Sequence, residues 1–173
     1  MKKLFFILAL IAILTTGCVM PGVYKPITTI DKFDGYTINK TQKNILSMKF
    51  LEDIVCLDIQ RFQKDDLVLY KLILQYGPTS NWLFIESGES LILLVDGKRM
   101  GFTGDGSMQH RNVLSGGSIV EKAYYNITPE QIIEIANAQE VSVKIIGSQY
   151  YEERKFIKST FNNFKQFYEE YVK

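Results

Sequence analysis

The chain has 173 residues, with 20 Lys and Arg against 19 Asp and Glu, and a single His. Balanced charge without a block of Lys or Arg excludes the electrostatic footprint of a nucleic-acid binder, and 46% hydrophobic against 23% charged residues excludes a compositionally disordered chain. Two Cys are too few for a disulfide framework.

The first element in chain order is not part of a fold. Met1-Lys2-Lys3 is a short positive region, Leu4 to Leu14 is an unbroken apolar run of eleven residues, and Thr15-Thr16-Gly17-Cys18 closes it with small or hydroxylated side chains. Charge, apolar core and small-residue end make a three-part export signal. A spanning helix needs about 20 apolar residues, well beyond this run. The ending Leu14-Thr15-Thr16-Gly17-Cys18 resembles the lipobox of bacterial lipoproteins, with Thr15 where that motif commonly has Leu and Leu14 one position earlier.

The resemblance covers residues 1–18 and identifies a processing route. It implies cleavage between Gly17 and Cys18, a diacylglyceryl group on the Cys18 thiol, fatty acid such as palmitate as the attached lipid, and the cell-envelope membrane as partner. Val19 stands where an acidic residue would signal retention at an inner membrane, which implies the outer membrane in a host with two. Read from the residues alone, an ordinary cleaved secretory signal with Cys18 free or disulfide-bonded remains the alternative. Loss of residues 1–17, including Lys2 and Lys3, leaves 156 residues with 18 basic and 19 acidic side chains.

Residues 18–34 then read as the lipidated Cys and a linker, because Pro21, Gly22 and Pro26 interrupt a polar stretch. Residues 35–173 read as one globular domain, a size typical of a single core. Apolar residues alternate at period two in Leu46, Met48 and Phe50, in Leu57 and Ile59, and along Val68, Tyr70, Leu72, Leu74 and Tyr76, so each is expected to be a strand. Gly77-Pro78 is expected to end the third of these. Trp82 to Ile85, Leu91 to Val95 and Lys98 to Thr103 are further strands, with Asp96-Gly97 between the last two as a type I′ hairpin turn. Ser118 to Ile127 is another, placing Ile119, Ala123, Tyr125 and Ile127 on one face.

Thr128-Pro129-Glu130-Gln131 opens a helix with a capping box, running to about Ala138 and burying Ile132, Ile135 and Ala136. Val141, Val143 and Ile145 predict a strand ended by Gly147. A second helix starts at Ser159 and places Phe161, Phe164, Tyr171, and Phe167 or Tyr168, on one face. The expected fold is α+β: a mostly antiparallel sheet of about six to eight strands covered by two C-terminal helices, with a β-sandwich carrying peripheral helices as the alternative.

For function, the Gly-rich segment 101–118 is the candidate binding loop, with Asp105, Ser107, His110 and Arg111 as its polar members. Its glycines lack the Gly-Lys-Ser/Thr ending of a phosphate loop, no cofactor motif follows, and no Cys/His pair offers a zinc site. Ser107 and His110 lack the elbow and the orienting third group of a nucleophile–base pair, so no catalytic residue is assigned. Cys56, within Ile54-Val55-Cys56-Leu57, reads as a buried apolar side chain. The function expected is a membrane-anchored envelope lipoprotein presenting a non-catalytic domain that binds an envelope protein or a small ligand. The alternative is a lipid-anchored hydrolase using the 101–118 loop.

Overall fold

The computed structural model describes residues 24–48 and 53–173. The expected signal segment, with Gly17 and Cys18, and the Phe50 end of the first expected strand therefore lie outside the described residues. In chain order the elements are β1 (Ile27–Ile30), β2 (Thr37–Lys40), β3 (Val55–Lys64), β4 (Leu67–Thr79), β5 (Gly88–Val95), β6 (Lys98–Gly104), β7 (Arg111–Val113), β8 (Ile119–Ile127), α1 (Pro129–Asn137), β9 (Val141–Ile146), β10 (Tyr151–Lys155) and α2 (Lys158–Tyr171). The strands form one sheet in the order β1-β2-β3-β4-β8-β6-β5-β9-β10, with β7 beside β8. Every pairing is antiparallel.

The α+β class and the two C-terminal helices are as expected, but the sheet has ten strands instead of six to eight. The excess comes from short strands without a usable alternating pattern. One of them, β1, falls inside the stretch expected as linker and pairs Ile27 with Lys40 through Ile30 with Thr37. Three further expectations are corrected. Leu46 to Met48 form no strand, their stretch having a single bridge at Ile45. Gly77-Pro78 does not end β4, which continues to Thr79 through a register irregularity against β8. Gly77 takes φ +100°, and a Cβ there would lie 2.4 Å from the Ile119 carbonyl oxygen, so glycine lets β4 cross close to β8. Trp82 to Ile85 is not a strand; of this stretch only Ile85 makes a bridge, to Gly147.

The sheet curls. After β2 the chain continues along β3, with Ile45 bridging Cys56 and the Leu46 N–H donating to Val55 O at 2.9 Å. The Ser47 N–H then donates to Lys155 O at 2.7 Å, and the Lys155 N–H returns a bond to Ser47 Oγ at 2.7 Å. These bonds join β10 back to the segment beside β3, while β6 and β8 pair only at Gly104 and Tyr125. One apolar core fills the concave side, drawing Leu57, Leu72, Leu91, Tyr125, Val143, Phe164 and Phe167 together.

Both helices close the end of this half-open barrel that carries the Asp96 turn. Asp96 and Gly97 have φ of +49° and +84°, as a type I′ turn requires. Asp96 Oδ1 accepts the Gln139 and Glu140 N–H groups just after α1, and the Tyr70 hydroxyl near the start of β4 donates to Tyr171 O in α2. The capping box of α1 is complete: Thr128 Oγ1 accepts from Gln131 N, and Gln131 Oε1 accepts from Thr128 N. Its buried residues are Ile132, Ile135 and Ala136, the face read from the sequence. Helix α2 begins at Lys158, one residue before the expected cap, and fully buries Phe164 and Phe167. Among the described residues no helix is long and apolar enough to cross a membrane.

Candidate functional site

The opposite end of the barrel holds the candidate loop, and the side chain that organises it is Glu121. Alternation along β8 places Glu121 on the same inward face as Ile119, Ala123 and Tyr125, and its side chain is completely shielded from solvent. A carboxyl group in such a place is tolerated only when its oxygens are hydrogen-bonded. Glu121 Oε1 accepts from Leu83 N at 2.6 Å and Phe84 N at 2.9 Å, while Oε2 accepts from Ile85 N at 3.0 Å and from the Ser107 hydroxyl at 2.5 Å. Arg111 Nε lies 3.7 Å from Oε2 and donates to Ser107 Oγ at 3.1 Å.

Three successive backbone N–H groups converging on one anion form a nest, which requires a left-handed residue in the turn. Phe84 supplies it, with φ +54°. This diverts Trp82 to Ile85 from the strand their apolar character suggests: the N–H groups of Leu83, Phe84 and Ile85 serve Glu121 instead of a neighbouring strand. The same turn brings Phe84 between Trp82, whose ring stacks at 5.8 Å between centroids, and the Arg111 guanidinium, 4.7 Å from the Phe84 ring. Gly106 passes so close beneath that a Cβ would lie 2.7 Å from Ile85 O, and its φ is +71°.

The structure divides the four candidate loop residues. Ser107 is buried and Arg111 partly buried, both directed to Glu121. Asp105 is exposed in the turn after β6. His110 ends a single 3-10 turn, Met108–His110, and its exposed ring meets Tyr124 edge-on at 4.8 Å. Ser107 and His110 are joined through the backbone, His110 N–H to Ser107 O at 2.8 Å, while the Ser107 hydroxyl is occupied by Glu121. The arrangement therefore offers the serine for structure and the histidine to solvent.

His110 opens onto a groove of about 590 Å³ on the convex side of β4, β8 and β7. Gln75, Lys122, Tyr124, Gln109 and Asn112 contribute to its walls, and no Asp or Glu is among its lining residues. The volume lies within the range of small-ligand sites. Lys122 and Gln75 are register partners across β4 and β8, so sheet geometry sets them side by side.

The loop glycines and polar residues were visible in the sequence; Glu121 was the missed residue. Its signal is a lone charge in register with the apolar face Ile119, Ala123, Tyr125 and Ile127. Cys56 is buried, and burial pushes its thiol pKa up to about 12, with Asp58 adding to the effect. That keeps the group protonated and chemically quiet. Among the described residues no group of three or more His, Cys, Asp or Glu side chains is placed to hold a metal ion. No protein-family model, no curated protein and no solved structure matches the chain.

Proposed function

We propose that this protein is a bacterial envelope lipoprotein, anchored by lipid on Cys18, whose domain binds a ligand without transforming it. The observation that carries the reading is the register of Lys2-Lys3, the apolar run Leu4 to Leu14, and Gly17-Cys18. Each buried CH₂ of an acyl chain contributes about 0.8 kcal/mol, and two or more chains turn marginal adsorption into stable attachment. Five residues, Val19 to Val23, separate Cys18 from the first described residue, Tyr24. Extended backbone covers at most about 3.6 Å per residue, so the domain would sit within roughly 20 Å of the lipid surface.

The binding role is supported by the division of the loop. Ser107, the one loop serine three positions from His110, has its hydroxyl committed to the buried Glu121, and the groove beside His110 is lined by hydrogen-bonding side chains. The test of the anchor is metabolic. Cells given labelled palmitate are expected to label the wild-type protein and not Cys18→Ser; equal labelling of the two would remove the reading.

A further inference from the structure

We infer that the groove between β4, β8 and β7 binds a small hydroxyl-bearing anion: a sugar carrying a carboxylate or a phosphate. The inference names the ligand class for the binding role proposed above and rests on that role.

The first argument is charge. The groove is lined by Lys122, His110 and Arg111 and by no acidic residue, in a chain whose overall charge is balanced. Some surface cations elsewhere in the fold stand beside carboxylates, as Lys98 does with Glu134, Lys144 with Glu153 and Lys155 with Glu140, and others such as Lys64 and Lys71 lie over aromatic rings. Arg111 is turned to Glu121 at the groove's edge, whereas among the described residues Lys122 has no carboxylate within ion-pair distance. A concave surface with unneutralised positive charge attracts and concentrates anions.

The second argument is hydrogen-bonding type. Beside the cation stand three primary amides, Gln75, Gln109 and Asn112, each able to donate and accept. An inorganic anion uses donors only; a hydroxylated one uses both. Gln75 is held in place, with its Nε2 donating to Gly77 O at 3.4 Å, which leaves its carbonyl oxygen to accept from a ligand hydroxyl. The third argument is the floor. Tyr124 presents a ring braced edge-on by His110 at 4.8 Å, a flat apolar surface suited to the C–H face of a sugar ring. Gln75, Lys122 and Tyr124 stand on the paired strands β4 and β8, whose register fixes their spacing before a ligand arrives.

The test is a titration of the purified full-length chain in detergent, with glucuronate, glucose 6-phosphate and glucose as separate probes, following the NMR signals of His110 and Tyr124. At least one of the two anionic sugars is expected to shift these signals saturably, with glucose leaving them in place, and the two anionic arms report which acid group is preferred. Lys122→Gln, which keeps the side chain's reach on a surface strand position, is expected to weaken binding about 10-fold, equivalent to about 1.4 kcal/mol. Lys71→Gln, a cation of β4 outside the groove that lies over the Phe62 ring, is expected to leave it unchanged. The inference is overturned by glucose binding as well as the anions, by no saturable shift with either anion, or by Lys122→Gln binding as the wild type does. Lipid on Cys18 is read out separately by the labelling experiment, so loss of the ligand class leaves the anchor standing, and the reverse.

Discussion

Glu121 follows Ile119 and precedes Ala123 and Tyr125 on the inward face of β8, so strand periodicity alone carries a carboxyl group into the core. What makes the position tenable is supply of donors from a different part of the chain: three N–H groups from residues 83–85 and the Ser107 hydroxyl. A left-handed Phe84 costs about 1–3 kcal/mol of backbone strain, which the nest offsets. Glu121→Gln would turn an amide NH₂ against donors. With the NH₂ on the Ser107 side, where the hydroxyl can turn to accept it, the Ile85 N–H would lack an acceptor at about 1–3 kcal/mol, and unfolding in urea is expected to show a loss of about 2 kcal/mol. A change within about 0.5 kcal/mol, the scale of a surface substitution, would mean that the nest does not hold this end of the barrel. His110 and Ser107 are three positions apart in sequence yet face different surroundings, because the 3-10 turn between them sends one toward Glu121 and the other outward.

Some elements with a strong local signal matched their reading, and others were redirected by partners elsewhere in the chain. The helix α1 is the clearest case, since its cap, first-turn Pro129 and buried face are all written in Thr128 to Ala136. Thr128→Ala removes the acceptor for the Gln131 N–H, and a loss of about 1 kcal/mol is expected in the same unfolding measurement. An unchanged midpoint would show that α1 is held by its buried face alone. Strand β10 has the opposite character: Glu152, Glu153, Arg154 and Lys155 make four of its five residues charged. It is a strand because its backbone pairs with β9 and Ser47, while Arg154 pairs with Glu152 at 2.6 Å and Lys155 with Glu140 at 2.5 Å. Such pairing is long-range and leaves no periodic apolar trace, which is why context overrides strand propensity here. The diverted segment Trp82 to Ile85 has the reverse history, with strand-like residues drawn into a turn by a carboxylate 36 to 38 positions away.

At the scale of the molecule, closure depends on a polar network as well as on the core. Thr41 Oγ1 donates to Asp58 Oδ1 at 3.1 Å and accepts from Asn44 Nδ2 at 2.9 Å, and Asn163 of α2 donates to Asn44 Oδ1 at 2.7 Å. Thr160 Oγ1, also in α2, donates to Ile45 O at 2.7 Å. Together these bonds fasten α2 to the segment that joins β3 to β10. Burial raises the Asp58 pKa above its ordinary value of 3.8, and bonds from the Asn44 N–H and the Thr41 hydroxyl pull it only partly back. A carboxyl whose pKa is raised on folding adds stability that is fully present below its unfolded value and is lost as pH rises through the folded one. Asp58→Asn, which stays neutral, is therefore expected to gain stability relative to the wild type as pH rises from about 4 through the raised pKa. Parallel pH profiles for the two proteins would contradict the role of burial at this site.

Local chemistry was legible in the amino-acid order: the alternation of β4 and β8, the Asp96-Gly97 turn and the cap of α1, all readable within a window of a few residues. Tertiary structure alone decided what depends on distant partners. It set the added short strands, the closure of β10 onto Ser47, the turning of residues 82–85 around Glu121, and the separation of Ser107 from His110. The physical reason is that hydrophobic periodicity reports which face of a strand is buried, whereas it carries no information about which remote donor satisfies a buried carboxyl group or which edge completes a curled sheet.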